Sequence, residues 1–413
     1  MSCSEWKEYR LDEIGDIVSG GTPSTKNEDY YGNEIPWITP KDLSGYDSKY
    51  ISKGERSITK LGLEKSSAKL LPKGTILFSS RAPIGYVAIA QEDLCTNQGF
   101  KNIVCNPQVA HNEFIYYRMK LAKEELESVA GGSTFKEVSG KVMKEFKIKL
   151  PSIEQQKRIA SILSSLDDKI ELNNEMNKTL EEMAQSIFKR WFVDFEFPNE
   201  DGQPYKSSGG EMVESELAMI PKGWEVKSLD EILDSISIKH KFPNEKIIFL
   251  NTSDILDGEV LHNNYSDVSS LPGQAKKSIQ KGDILYSEIR PKNKRYTFID
   301  FDADEYVVST KLMVLRTKNK FNSSMMYFYL SNESTVNYLQ TIAEGRSGTF
   351  PQITFNELKK LKICMPTNDT IVELGKFFEN ILKTINNNKK EAKQLKEMRD
   401  ILLLKLMSGE IRV

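Results

Sequence analysis

From Pro151 to Trp191 apolar residues recur every three and four positions: Ile159, Leu163, Leu166, Ile170, Leu180, Ala184, Ile187 and Trp191. Asn173 and Asn177 fall in the same stripe. A seam sustained over about five heptads predicts a helix that pairs lengthwise with another. Pro151 ends the strand-like KIKL before it, and Ser152, Glu154 and Gln155 supply residue types that cap a first helical turn. The same register returns 215 residues later at Leu374, Phe378, Ile381, Ile385, Asn388, Ala392, Leu395, Arg399, Leu402 and Leu406. A single run of this kind describes many bundle helices. Two in one register predict partners.

Between the helical stretches the pattern changes to short apolar runs separated by turns, and it too repeats. EWKEYRLDEI (5–14) matches GWEVKSLDEI (223–232), and KGTILFSSRAPIG (73–85) matches KGDILYSEIRPKN (281–293). LCTNQGFKNIVCN (94–106) parallels VVSTKLMVLRTKN (307–319), and the stretch 131–151 parallels 346–366. A repeat this long is a duplicated domain, since solenoid periods are about 20–50 residues. The predicted fold class is α+β. Residues 1–150 and 223–365 form two mixed α/β units, and 151–193 and 366–413 form two long helices. Residues 194–222, rich in Pro, Gly and Ser, form a linker.

Parallel pairing would place the two units side by side at one end; the duplication favours an antiparallel coiled coil with pseudo-twofold symmetry. Setting Asn177 opposite Asn388 places Ile170 on Leu395, Leu180 on Ile385 and Leu163 on Leu402, with Arg399 imperfectly against Leu166. About five heptads make roughly 55 Å of helix.

The chain has 413 residues, 39% hydrophobic and 28% charged, enough for several cores. It shows no apolar run of about 18 residues and no apolar leader, so a soluble, cytoplasmic protein is expected with no membrane partner. Cys3, Cys95, Cys105 and Cys364, with His111, His240 and His262, show no zinc or disulfide spacing, and no metal is expected. Net charge is −2, but the distribution is uneven: residues 152–220 carry 7 basic against 14 acidic side chains, whereas 1–150 carry 21 against 20. Nucleic-acid binding would then rest on local patches, with partners supplying much of the phosphate contact.

Catalytic motifs are missing from the sequence: no phosphate-binding GxxxxGK[ST], no GxGxxG after a strand, no Asn-Pro-Pro-aromatic run. Asp283, Glu288 and Arg290 faintly resemble a metal-nuclease pattern, without a counterpart in the other repeat (Thr75, Ser80, Ala82). A non-catalytic chain is expected. What the repeats share is polar loops beside strands. Ser79 and Arg81 correspond to Ser287 and Arg290, the latter followed by Lys292 and Lys294. Asn97 and Gln98 correspond to Thr310 and Lys311, and Ser133 and Thr134 to Arg346, Ser347 and Thr349. Thr22, Ser24 and Lys41 have Asn251 and Thr252 as loose counterparts. Arg and Lys reach guanine edges, Asn and Gln pair with adenine, and Ser and Thr hold phosphates. For any single loop the plain reading is a turn; recurrence in both units favours DNA reading. The Tyr and Phe residues of 114–121 and 325–330 are read as core.

The stretches LPSIEQQKRIASIL (150–163), SIFKRWFVDFEFPNEDGQPYKSSGGEMVESELAMIPKGWEV (186–226) and LLLKLMSGEIRV (402–413) give the chain its resemblance to the specificity subunits of Type I restriction–modification systems. The repeat layout extends that resemblance over essentially the whole sequence. It implies two target recognition domains, each reading half of a bipartite site in double-stranded DNA. It also implies helices that space the domains and dock two methyltransferase subunits, with restriction subunits joining them. S-adenosylmethionine, ATP and Mg would belong to those partners, with no cofactor in this chain. On the outer helix faces Gln155, Arg158, Arg190 and Phe192 become the candidate docking residues. Two alternatives remain: a specificity subunit of a related non-Type I methyltransferase system, or a coiled-coil scaffold that binds proteins.

Overall fold

A computed structural model describes residues 6–81, 83–131, 136–318, 321–367 and 370–413. The two long helices span Ile153–Phe192 and Thr370–Met407. Ser152 starts the first, accepting the Gln155 amide on its hydroxyl and the Gln156 amide on its carbonyl. The chain divides into two compact units, residues up to Asn174 with Lys390–Val413, and Glu175–Lys389. Each long helix thus contributes one part of its length to each unit.

In the first unit a five-stranded sheet runs in the order Gly15–Ser19, Lys101–Cys105, Ile76–Phe78, Val87–Ala90, Tyr50–Ile51. Its central strand is apolar throughout because both faces are covered. Ile76 and Phe78 pack with Phe114, Ile115 and Tyr117 of the helix Asn112–Leu121, and with Leu163 and Leu406 of the long helices. Leu77, on the opposite face, packs with Ile38, Leu43 and Ile51.

The second unit repeats this plan. Leu233–Ile236, Leu312–Thr317, Ile284–Ser287 and Tyr296–Phe298 adjoin in the same spatial order. Ile284 and Tyr286 face the helix-side core while Leu285 faces a second cluster with Ile248 and Val308. A parallel strand pair joins Tyr31–Ile38 to Cys95–Thr96 in one unit and Lys246–Leu250 to Tyr306–Ser309 in the other. Antiparallel ribbons, Lys7–Arg10 with Lys147–Leu150 and Trp224–Ser228 with Lys362–Pro366, lead into the long helices.

Within each unit the helix segments run antiparallel, so the heptad seams are satisfied inside one chain. In the first unit Asn173 Nδ2 donates to Glu391 at 2.8 Å and Arg399 meets Asp167 at 2.7 Å. In the second, Asn388 Nδ2 donates to Asn177 Oδ1 at 2.9 Å, the expected register. Arg399, which heptad counting sets imperfectly against Leu166, finds Asp167 one residue away and is satisfied there.

Residues 194–222 are more ordered than their composition predicts. Phe197 stacks on Tyr205 and Trp224 with ring centroids at 4.7 and 4.8 Å, and Met212–Glu214 pairs with Met219–Pro221. Aromatic burial overrides the Gly and Ser content.

Candidate nucleic-acid interface

The polar loops of the first unit converge through backbone hydrogen bonds. Gly21 N–H donates to the Thr96 carbonyl, Asn97 N–H to Ile38, Ser80 N–H to Gly99, and Val138 N–H to Ser80. Thr22 Oγ1 bonds the Gln98 side chain, and the Arg81 backbone pairs with that of Glu137 in an isolated antiparallel β-bridge. A Cβ on Gly20 would lie 2.0 Å from the Asn97 carbonyl, so this close approach of the two loops requires glycine. Thr22, Arg81, Asn97 and Gln98 are thereby brought together, with Gln98 exposed. Ser24 is exposed beside Lys26, and Lys41 is exposed and ion-paired to Glu55 at 2.6 Å. Ser133 and Thr134 lie outside the described residues.

The second unit assembles the corresponding loops. Arg290 N–H donates to Pro351, its guanidinium donates to the Thr349 carbonyl at 3.3 Å, and Glu288 N–H donates to Lys311. Lys311 Nζ reaches Gln352 at 3.2 Å and Glu288 at 3.5 Å. Arg290 and Lys294 bracket the tight turn Pro291–Asn293, both in left-handed conformation at φ 43° and 53°. Thr310 precedes Lys311 in the chain and donates its amide to the Gln274 carbonyl, and Ser347 caps the adjoining loop by accepting the Phe350 amide. Lys292 is exposed, its amide held by Gln340. Asn251 and Thr252 sit on another loop. Asn251 caps a short turn there, Arg295 donates to the Ser253 and Ile255 carbonyls, and Lys294 pairs with Asp257.

Several expectations require correction. Ser79 is fully buried, donates to the Pro83 carbonyl and accepts the Tyr86 amide. It offers nothing to a base. Its counterpart Ser287 is also buried and closes the equivalent turn with Ile289, so this shared serine reflects turn chemistry. Arg346, by contrast, is exposed and ion-paired to Glu357 at 2.6 Å, as Lys41 is to Glu55, and it stands as a candidate. Phe192 is buried among Phe188, Phe378 and Trp224, so it is core and not a docking residue. Arg158 and Arg190 are exposed and Gln155 is half-buried.

Asp283 is no metal ligand in waiting. It is fully buried and bidentate to Arg316 at 2.7 and 2.9 Å, and it also accepts the Gln280 amide. Among the described residues no group of three or more His, Cys, Asp or Glu side chains could hold a metal ion. Burial pushes the Cys95 and Cys105 thiols up to about 11 and about 12, unlike reactive cysteines, whose pKa is lowered. No helix among the described residues is long and apolar enough to cross a membrane.

Sequence reasoning missed Glu137 and Gln352, which occupy the same repeat position and bridge Arg81 and Ile289 respectively. It also missed Lys277. That ammonium donates to the Thr310 and Leu312 carbonyls, and burial lowers its pKa. The 215-residue offset linking Glu137 to Gln352 was the available signal.

The family of the Type I restriction modification DNA specificity domain matches this chain twice, over residues 3–182 and 221–397. The Type I restriction enzyme MjaIX specificity subunit of Methanocaldococcus jannaschii is 35% identical over 422 residues, covering 99% of this chain and 94% of that protein. The HindI specificity subunit of Haemophilus influenzae is 48% identical over 151 residues, covering 36% of this chain and 32% of that one. The crystal structure of the Type I restriction–modification S subunit from M. genitalium has the same fold, with a TM-score of 0.64 at 17% identity. That match covers 98% of this chain and 97% of the other. The chain belongs to the family of Type I restriction–modification specificity subunits, non-catalytic DNA-recognition components with two recognition domains.

Proposed function

We propose that each unit reads one half of a bipartite site in double-stranded DNA through its converging loops, while the two long helices space the readers. In this reading 1–150 and 223–365 are the target recognition domains, 151–193 and 366–413 the spacer helices, and 194–222 the connection. The observation that carries it is the recurrence of one loop cluster at equivalent strand ends. Arg81, Asn97 and Gln98 gather in one unit, and Arg290, Thr310, Lys311 and Thr349 in the other. Turn chemistry alone accounts for Ser79 and Ser287; it does not account for exposed Gln98, Arg290 and Lys292 at such positions.

Two methyltransferase subunits dock on the outer helix faces, and restriction subunits join that assembly. Exposed Leu172, Met176 and Met183 on the first helix, and Met398, Ile401 and Leu404 on the second, support this. These are apolar side chains at helical spacing that a partner would cover. S-adenosylmethionine, ATP and Mg reside in the partners, and the complex works in the cytoplasm.

The test is to express the chain with its methyltransferase partner and map methylated adenines by long-read sequencing. One bipartite sequence is expected. Arg81→Ala and Arg290→Ala are each expected to relax a single, different half-site, at about tenfold or more per lost base contact. Equal loss at both half-sites in either variant refutes the modular reading.

A further inference from the structure

Both units pack apolar side chains against the long helices, but the polar contacts added to that packing differ. In the second unit the fastening is largely aromatic, Phe328, Tyr329 and Trp224 packing on Phe378, Phe188 and Phe192 of the helices. Gln185 is bonded there to Ser331 and Asn332, with a partly exposed Lys389–Glu259 pair beside them. In the first, an apolar core that includes Leu163 and Leu406 is joined by a buried ionic network. Tyr117 Oη donates to Asp167 Oδ2 at 2.5 Å, and Arg399 Nη1 donates to Asp167 Oδ1 at 2.7 Å. One helix carboxylate is thus shared between a recognition-domain helix and the second long helix.

A second group lies nearby on the same helix. Lys49, with its side chain only 1% exposed, sets its ammonium 3.1 Å from Glu113 and 3.0 Å from Asp168. Its own backbone N–H donates to Glu171 at 2.6 Å. Tyr50 Oη donates to Glu113 at 2.6 Å. Asp167, Asp168 and Glu171 all belong to the first long helix, whereas Lys49, Tyr50, Glu113 and Tyr117 belong to the globular part. Burial pushes the Glu113 carboxyl up, but the Tyr50 hydroxyl and the Lys49 ammonium outweigh it and hold the pKa below the ordinary carboxylate value. Burial likewise opposes the charge on Arg399, and hydrogen bonds to Asp167 and Asp400 outweigh that.

Apolar side chains tolerate small slides and rotations, because dispersion contacts are non-directional. A buried charge-assisted network does not: a shift that breaks one bond leaves a desolvated charge unpaired. Such networks contribute little net stability over an apolar contact, and their best-attested use is fixing register. A bipartite reader needs that kind of fixing. Adding one base pair to the spacer displaces a half-site by about 3.4 Å and turns it by about 35°.

We infer that the network of Tyr117, Asp167, Arg399 and Lys49 sets the angle at which the first recognition domain stands on the helix pair, and thereby restricts the spacer length the complex accepts. The inference rests on the half-site reading above. These are positioning residues, outside the loops proposed to touch DNA. The second unit has no equivalent carboxylate; the positions 215 residues after Asp167 and Asp168 are Leu382 and Lys383.

The experiment uses the full methyltransferase complex and duplexes carrying the mapped bipartite site with its native spacer, or with one base pair added or removed. Tyr117→Phe removes only a hydroxyl, and Asp167→Asn and Lys49→Met remove one charge each. Leu163→Ala serves as control, because it weakens the same core without touching the network. The three network variants are expected to lower the ratio of native-spacer to altered-spacer methylation by about tenfold, the scale of one lost charge-assisted hydrogen bond. The control is expected to lower methylation on all spacers in proportion. If Tyr117→Phe and Lys49→Met leave the ratio unchanged, whatever happens to total activity, the inference is overturned. Should the wild-type complex methylate no bipartite sequence at all, the half-site reading fails first, a distinct result.

Discussion

Phe378 offers the most direct test of how the two helix segments pack within the second unit. Its side chain is fully buried, and five aromatic rings surround it at centroid distances of 5.4 to 6.3 Å: Phe377, Phe328, Phe188, Trp191 and Phe192. Removing about 150 Å² of buried apolar surface at ~25 cal/mol/Å² costs about 4 kcal/mol, inside the range of about 3–5 kcal/mol for buried Phe→Ala changes. Phe378→Leu keeps most of the volume and should cost under about 1.5 kcal/mol.

Tryptophan fluorescence during urea unfolding can read this out unit by unit. Trp191 and Trp224 lie in the second unit, Trp6 and Trp37 in the first. In a Trp6→Phe, Trp37→Phe background the signal therefore comes from the second unit alone. With a slope of about 2 kcal/mol/M, Phe378→Ala should lower the midpoint by about 2 M and Phe378→Leu by under about 1 M. A loss below about 1 kcal/mol for Phe378→Ala, or equal losses for the two variants, would falsify the packing argument.

Three further outcomes are expected. Asp283→Asn leaves Arg316 without its charge partner, and since Arg316 is partly exposed the loss should fall near the lower bound for broken buried pairs, about 3 kcal/mol by the same urea assay. A loss below about 1 kcal/mol would show that the pair is not structural. Replacing both Asn177 and Asn388 by Leu should raise the melting temperature, since a seam asparagine trades stability for alignment; a lower one contradicts the seam reading. His111 has its pKa lowered chiefly by burial, so between pH 7 and 5 the unfolded chain takes up a proton before the folded chain does. Stability should therefore fall as pH drops through that window, and His111→Gln should flatten the slope in urea titrations; an unchanged slope counts against the assignment.

The internal repeat and the helix register were legible because each is a local, periodic property. Asn177 opposite Asn388 follows from counting heptads, and the contact is there at 2.9 Å. The central strands were legible too, since ILF and ILY flanked by turns read as buried strands and are buried. The loop residues were less so. Arg81 and Ser79 look alike as loop residues in sequence, yet one is half-buried at a domain edge and the other fully enclosed. Phe192 fails as a docking residue for a related reason: the helix face it occupies is covered by Trp224, a residue beyond the heptad pattern.

The sequence alone determined the duplicated α+β plan, the two paired helices and their register, because periodicity of burial survives without knowledge of any distant partner. Only the tertiary structure decided which polar side chains are consumed inside the fold and which stay exposed. Asp167 is met by Tyr117 and Arg399, 50 and 232 residues away, and Lys49 by Asp168, 119 residues away. A charged residue's role depends on whether such a partner arrives, since an unpaired buried charge is too costly to persist. That is settled by the folded chain and not by spacing.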